Sequence, residues 1–178
     1  MADLLEYTQG RSVSFVKADL TPWLAKVVDQ FQESEEISIT KDFCTDLPAV
    51  THDQGKMRRV IINVMDNALQ AVRARVQVEK TAGAAFTPRI IVKIEGDGAK
   101  VVIHVSDNGT GMSEETRARA FEPLFTTRAR GTGLGLANVK KIVDEHGGHV
   151  SLESRLSEGT HLTITLPCDM ESAATCEQ

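Results

Sequence analysis

Four segments of this chain alternate apolar and polar residues. They are RIIVKIE (89–95), VVIHVSD (101–107), HVSLESR (149–155) and THLTITLP (160–167). Successive side chains of a strand point to opposite faces, so each segment presents one face to a core and one to water. Ile90, Val92 and Ile94 share a face, as do Val101, Ile103 and Val105, and Leu162, Ile164 and Leu166. Such strands build a sheet covered on one side only, antiparallel or mixed. DGAK (97–100) joins the first two as a hairpin, and ISITKDF (37–43) supplies a further strand.

The cover must come from helices. Leu24, Val27, Val28 and Phe31 recur at helical spacing, predicting a helix over 22–33 capped by Thr21 with Pro22 at its first position. A longer helix spans about 55–75, with Met57, Val60, Ile61, Val64, Ala68, Ala71 and Val72 on its apolar face. Residues 76–88 read as an irregular loop because Gly83 and Pro88 interrupt any helix. A third helix runs from Gly135 to His146 and is stopped by Gly147 and Gly148. The predicted fold is an α/β two-layer sandwich, with about five strands in a mixed, largely antiparallel sheet under three helices. The 178 residues suffice for one domain with tails.

Composition excludes several classes. Hydrophobic residues are 41% and charged residues 25%, which is ordinary for a folded chain. A net charge of −5 argues against a broad nucleic-acid surface. No apolar run is long enough to span a bilayer, and the first ten residues carry no signal-peptide pattern. Cys44, Cys168 and Cys176 fit no zinc or redox spacing and suit a reducing compartment. The segment from Cys168 onward is small and polar and is expected to be disordered.

Three features exceed the needs of a core. Asn63, Asn67 and Gln70 fall on one helical face beside Ile62, Met65 and Leu69. Amides there either face solvent or line a wet or ligand-filled cavity. DNGTGM (107–112) places a carboxylate at the end of a strand, followed by Gly109 and Gly111, either as a tight turn or for close backbone approach. GTGLGL (131–136) opens a helix whose N–H groups attract anions. It lacks the Lys-Ser/Thr of a phosphate-binding P-loop, and Leu136 replaces the third glycine of a dinucleotide fingerprint. FEPLFTTRAR (121–130) precedes it, with Phe121, Leu124 and Phe125 anchoring a basic, hydroxyl-rich segment suited to a mobile lid.

In this order, NVMDNA, DNGTGM, FEPLF, GTGLGL and the Gly159-Thr160 pair resemble the N, G1, F, G2 and G3 boxes of the histidine-kinase ATPase domain. LANVKKIVDEHGG strengthens the likeness. The likeness covers residues 18–168, and the family it resembles is grouped with Hsp90, DNA gyrase and MutL in the GHKL superfamily, or Bergerat fold. The pattern is most similar to sensor kinases of two-component signalling, of the nitrogen-regulation type. The resemblance implies ATP and Mg²⁺ as cofactors. Asn67 would hold Mg²⁺, and Asn63 and Gln70 would line the phosphate path. Asp107 would accept a hydrogen bond from the adenine amine, supported by Thr160. Gly109 and Gly111 would let the backbone approach the base, and Met112 would pack on it. Thr126, Thr127, Arg128 and Arg130 would form the lid, with Arg128 or Arg130 on phosphate. Gly131, Thr132, Gly133, Leu134, Gly135 and Leu136 would wrap the triphosphate.

Relatives that hydrolyse ATP efficiently carry a glutamate where this chain has Asn63, and an amide cannot take a proton from water. Slow hydrolysis is therefore expected. Asp66 lies about a turn away, at a position that also suits a solvated side chain. His52, His104, His146, His149 and His161 read as surface or capping residues, and none fits a phosphoacceptor. A zinc cluster of His146, His149 and His161 would lack supporting ligands. The resemblance thus implies a catalytic ATP-binding domain, with residues 1–17 a linker remnant from an upstream hairpin and 169–178 a flexible tail. Its partners would be a histidine-bearing dimerisation hairpin and, indirectly, a response regulator. The fragment would be monomeric and cytoplasmic. An anti-sigma-type serine kinase and an ATP-switched interaction module are the competing readings.

Overall fold

A computed structural model describes residues 15–31, 36–127 and 131–168. Five strands form one mixed sheet in the order β2-β4-β5-β7-β6. These are β2 (Ser38–Phe43), β4 (Arg89–Gly96), β5 (Lys100–Asp107), β6 (His149–Arg155) and β7 (Gly159–Pro167). Only the β2–β4 pairing is parallel; β4–β5, β5–β7 and β6–β7 are antiparallel. The expected alternation holds, with Ile90, Val92, Ile94, Val101, Ile103, Leu162, Ile164 and Leu166 all buried. The opposite face carries His104, Ser106, His161 and Thr163, linked by hydrogen bonds among themselves.

Among the described residues, three long helices and one short one accompany the sheet: α1 (Leu20–Asp29), α2 (Gln54–Ala82), α3 (Glu114–Ala118) and α4 (Gly135–Glu145). Leu24 and Val28 of α1, Met57, Ile61 and Met65 of α2 and Val139 and Val143 of α4 fill the core against the sheet. Asp19 is the N-cap of α1, accepting from the Thr21 N–H at 2.8 Å. The helix therefore starts before the expected Thr21 cap, because the carboxylate satisfies an orphan N–H ahead of it.

Helix α2 runs through 76–82, correcting the loop expected there. The helix-breaking residues come later than that reading allowed. Gly83, at φ 69°, forms the left-handed cap and sends its N–H back to Lys80 O. The Arg75–Glu79 pair braces the added turns at i, i+4.

A small two-stranded sheet was not foreseen. Strand β1 (Val16–Ala18), whose first two residues fall in the stretch read as a linker remnant, pairs antiparallel with β3 (Val50–His52). Three-residue strands are too short to show a period. Cys168 is buried and its N–H bonds Ala99 O, so the ordered chain includes it, contrary to the disorder expected from there. Residues 1–14 and 169–178, including Cys176, lie outside the described residues.

Two histidines are buried, not exposed. His146 caps α4: its Nδ1–H donates to Ile142 O at 2.7 Å and its Nε2 accepts the Asp53 N–H at 3.0 Å. His52 places Nδ1 2.9 Å from Val50 O, beneath Trp23. Among the described residues no cluster of three metal-ligating side chains occurs, so the zinc arrangement is not formed. No described helix is long and apolar enough to cross a membrane.

Candidate functional site

The sheet and helices leave a cavity of about 910 Å³ between α2, the inner ends of β5 and β7, and the start of α4. Asn63, Asn67 and Gln70 line it from α2. Their spacing of four and three residues puts them on one side of the helix. The opposite side of that helix, with Met57, Ile61 and Met65, is buried.

Asp107 is the last residue of β5 and enters the cavity from the covered face of the sheet. Its period-two partners Val105 and Ile103 point the same way into the core. Across the β5–β7 ladder Asp107 registers with Thr160, and Val105 with Leu162. Thr160 lines the cavity beside it, with Ser154 Oγ 3.0 Å from its hydroxyl. Asp107 Oδ1 accepts the Gly109 N–H at 2.8 Å, which fixes the carboxylate on the turn that follows.

That turn is pressed onto α2. The Thr110 N–H donates to Ala71 O at 3.2 Å. A Cβ on Gly109 would lie 2.5 Å from the Ala71 carbonyl carbon, so no side chain fits there. Gly111, at φ 63°, would drive a Cβ into Arg155 O. Gly109 is buried behind the cavity wall, whereas Gly111 and Met112 line it.

At the other end, α4 begins at Gly135 after Leu134, with no side chain capping its first turn. Its free N–H groups and the helix dipole make this end anion-seeking. A Cβ on Gly135 would stand 3.8 Å from Asn67 Nδ2 and 4.0 Å from Asn63 Oδ1, so the amides of α2 face the start of α4. Gly131, Thr132, Gly133, Leu136, Thr126 and Thr127 also line the cavity. Gly133, at φ 69°, abuts the backbone of Leu124, itself at φ 63°. Leu134 is buried beneath this end. Arg128 and Arg130 lie outside the described residues.

Several lining residues escape sequence reasoning. Val105, Leu152 and Leu162 form an apolar floor and Ala71 a small wall residue. The strand residues read as core; for Val105 and Leu162 the available signal was a position two residues from Asp107 or Thr160, and Leu152 enters only through its register with Leu162. Ser113 and Thr116 come from α3 and its cap, whose five residues are too few for a helical period, whereas Phe125, singled out as a lid anchor, also lines the cavity. Asp66 is exposed and lines the cavity rim. Partial loss of water raises its carboxyl above the usual range, with Arg73 acting in the opposite sense.

Residues 52–170 match the family described as histidine kinase-, DNA gyrase B-, and HSP90-like ATPase. Sensor histidine kinase ZraS of Escherichia coli strain K12 is 31% identical over 96% of this chain and 35% of its own length. Sensory histidine kinase/phosphatase NtrB of Rhizobium leguminosarum is 31% identical over 79% of this chain and 37% of its own. The chain thus spans about a third of the length of these curated relatives. The solved catalytic domain of histidine kinase ThkA superposes with a TM-score of 0.71 at 28% identity, covering 86% of this chain and 95% of that one. ThkA in complex with response regulator protein TrrA gives a TM-score of 0.72 at 27% identity, over 96% of this chain and 47% of that one. With the amide face of α2, the strand-end carboxylate and the glycine-rich start of α4 around one cavity, the chain belongs to the histidine kinase-, DNA gyrase B- and HSP90-like ATPase family.

Proposed function

We propose that this chain is the ATP-binding catalytic domain of a two-component sensor histidine kinase, passing the γ-phosphoryl group of Mg-ATP to a histidine on a hairpin outside it. One observation carries the reading: a single cavity has a carboxylate at one end and an uncapped helix N-terminus facing two amides at the other. The first suits a base that offers an exocyclic amine, and the second suits phosphate.

Asp107 accepts from the adenine amine; guanine offers an acceptor at that position and is refused. Thr160 supports the carboxylate, Gly111 allows the base to approach, and Met112 packs on it, while Gly109 serves from behind the wall by letting the turn close on α2. The N–H groups of Gly131 to Leu136 take the phosphate oxygens. Thr126, Thr127, Arg128 and Arg130 close over them as a lid, and an arginine there would neutralise charge that grows on the γ-phosphoryl group.

The donor set fits Mg²⁺ arriving with its nucleotide. Asn63 and Asn67 bring side-chain amides, each with one oxygen, to the start of α4, and this cation commonly takes one or two protein oxygens plus phosphates. Asn67 would hold it, with Asn63 and Gln70 beside the phosphates. When bound, the metal neutralises phosphate charge and orients the γ-phosphoryl group. No carboxylate occupies position 63, so water attack goes unassisted there and hydrolysis stays slow. Asp66 sits at the rim, a turn away.

The partners that follow are a dimerisation hairpin bearing the acceptor histidine and, after it, a response regulator. The test mixes this chain with its parent's hairpin and Mg-ATP labelled on the γ-phosphate. An acid-labile phosphohistidine on the hairpin supports the reading. An acid-stable phosphoserine on another protein, or binding without transfer, refutes it.

A further inference from the structure

Helix α2 carries, at the start of its unforeseen last turns, a cation that the reading above leaves unused. Arg75 Nη1 donates to Asn108 O at 3.0 Å and reaches Gly109 O at 3.5 Å. Its Nε donates to Glu79 Oε1 at 3.1 Å, and its guanidinium stacks on the Phe86 ring, 4.6 Å from the centroid. Both held carbonyls belong to the turn whose Gly109 N–H fixes the Asp107 carboxylate. The arginine is thus oriented from two sides and grips the turn from a third.

We propose that Arg75 is a positioning residue for base selection: it holds the Asn108–Gly109 turn against α2 so that Asp107 meets the purine amine in one orientation. The proposal rests on the assignment of Asp107 to that amine. The other ties of the turn cannot replace the grip. The Asn108 side chain accepts the Arg89 N–H at 2.9 Å and donates to Thr87 O at 2.8 Å, tying the turn to the edge of β4. The Thr110 N–H bonds Ala71 O one residue past the glycine. Of these contacts only the guanidinium takes the carbonyls of residues 108 and 109, and a charged donor binds a carbonyl more strongly than a neutral one. The Gly109–Thr110 plane stays tied through the Thr110 N–H, but without the guanidinium the Asn108–Gly109 plane loses the anchor on its carbonyl and can rotate, carrying the Gly109 N–H away from Asp107.

The readout is a ratio. A helix-stabilising role alone would weaken every nucleotide together. A role in base selection weakens ATP more than purine riboside triphosphate, which lacks the amine but keeps the ring and phosphates. Arg75→Met retains the apolar stem on Phe86 and removes the donors. Its preference for ATP over the deaminated analogue, measured by calorimetry, is expected to fall about tenfold relative to the unaltered chain. Glu79→Ala frees the guanidinium without removing it and is expected to lower the ratio less. It serves if Arg75→Met fails to fold. An unchanged ratio in a folded Arg75→Met, or in Glu79→Ala where Arg75→Met does not fold, overturns the proposal while leaving Asp107 in place. If the unaltered chain shows no preference for ATP over the analogue, the assignment of Asp107 falls, and this proposal with it.

Discussion

Replacing Gly109 by alanine tests the contact on which the base end of the cavity is built. The added Cβ would meet the Ala71 carbonyl carbon at 2.5 Å and both Ala71 Cβ and Val72 N at 2.7 Å. Two of these are backbone atoms inside α2, which cannot rotate away as a side-chain tip can. The turn and the helix must therefore part by about 1 Å to reach ordinary contact. That separation breaks the Thr110–Ala71 hydrogen bond, 3.2 Å at present, and strains the Arg75 bond to Asn108 O. Overpacking costs about 1–3 kcal/mol and the lost hydrogen bond about 1 more. At roughly 2–4 °C per kcal/mol for a chain of this size, the melting temperature should fall by about 5–15 °C. Gly83→Ala separates space from conformation. At φ 69° with nothing within 4 Å, it meets only backbone strain of about 1 kcal/mol. Thermal denaturation with and without ATP reads both. Gly109→Ala should melt far below Gly83→Ala and gain less from ATP. Equal melting of the two variants would refute the close packing of turn on helix.

Three further outcomes are expected. Asp107→Asn keeps an oxygen for the Gly109 N–H but turns an N–H₂ donor toward the adenine amine; ATP affinity should fall about 10–100-fold by calorimetry, and an unchanged value would remove Asp107 from base recognition. Asn67→Ala should weaken ATP binding about tenfold or more with Mg²⁺ present and hardly at all in a chelator, so equal losses would rule out its role at the metal. Asp66→Asn should stabilise the fold slightly at about pH 7 and leave it unchanged near pH 3, because a carboxyl raised by partial loss of water is penalised only when ionised and both folded and unfolded forms are protonated in acid. The same gain at both pH values would show that partial desolvation of the charge is not the cause.

The sheet was legible because a single covered face imposes a two-residue period on β4, β5, β6 and β7, and each has enough residues to display it. The parallel pairing of β2 with β4 was not, since alternation looks alike in either direction. Helix α2 was placed by its buried stripe, but its last turns lie beyond the core, where Glu79, Lys80 and Thr81 leave no apolar signal. In the cavity, polar residues out of place in a core were visible: Asn63, Asn67, Gln70 and Asp107 all line it. Its apolar floor was not, because Val105 and Leu162 serve core and cavity with the same side chain. Arg75 was hidden for another reason. In sequence it is one more cation on a helix surface, and only the folded turn shows what it holds.

Helix α2 also acts as a ruler. Twenty-nine residues at a rise of 1.5 Å make a rod about 43 Å long, and the stretch from Asn63 to Arg75 is about 18 Å of it. One end of that interval faces the start of α4, and the other grips the turn after β5. The spacing between the two ends of the cavity is thus written into a single rigid element, not summed over loops that can breathe. A residue inserted within the interval would rotate everything beyond it by about 100° and carry Arg75 off its carbonyls. A residue inserted after Gly83 would only lengthen a connection. The chain can vary in length on one side of that glycine and is held to a fixed count on the other.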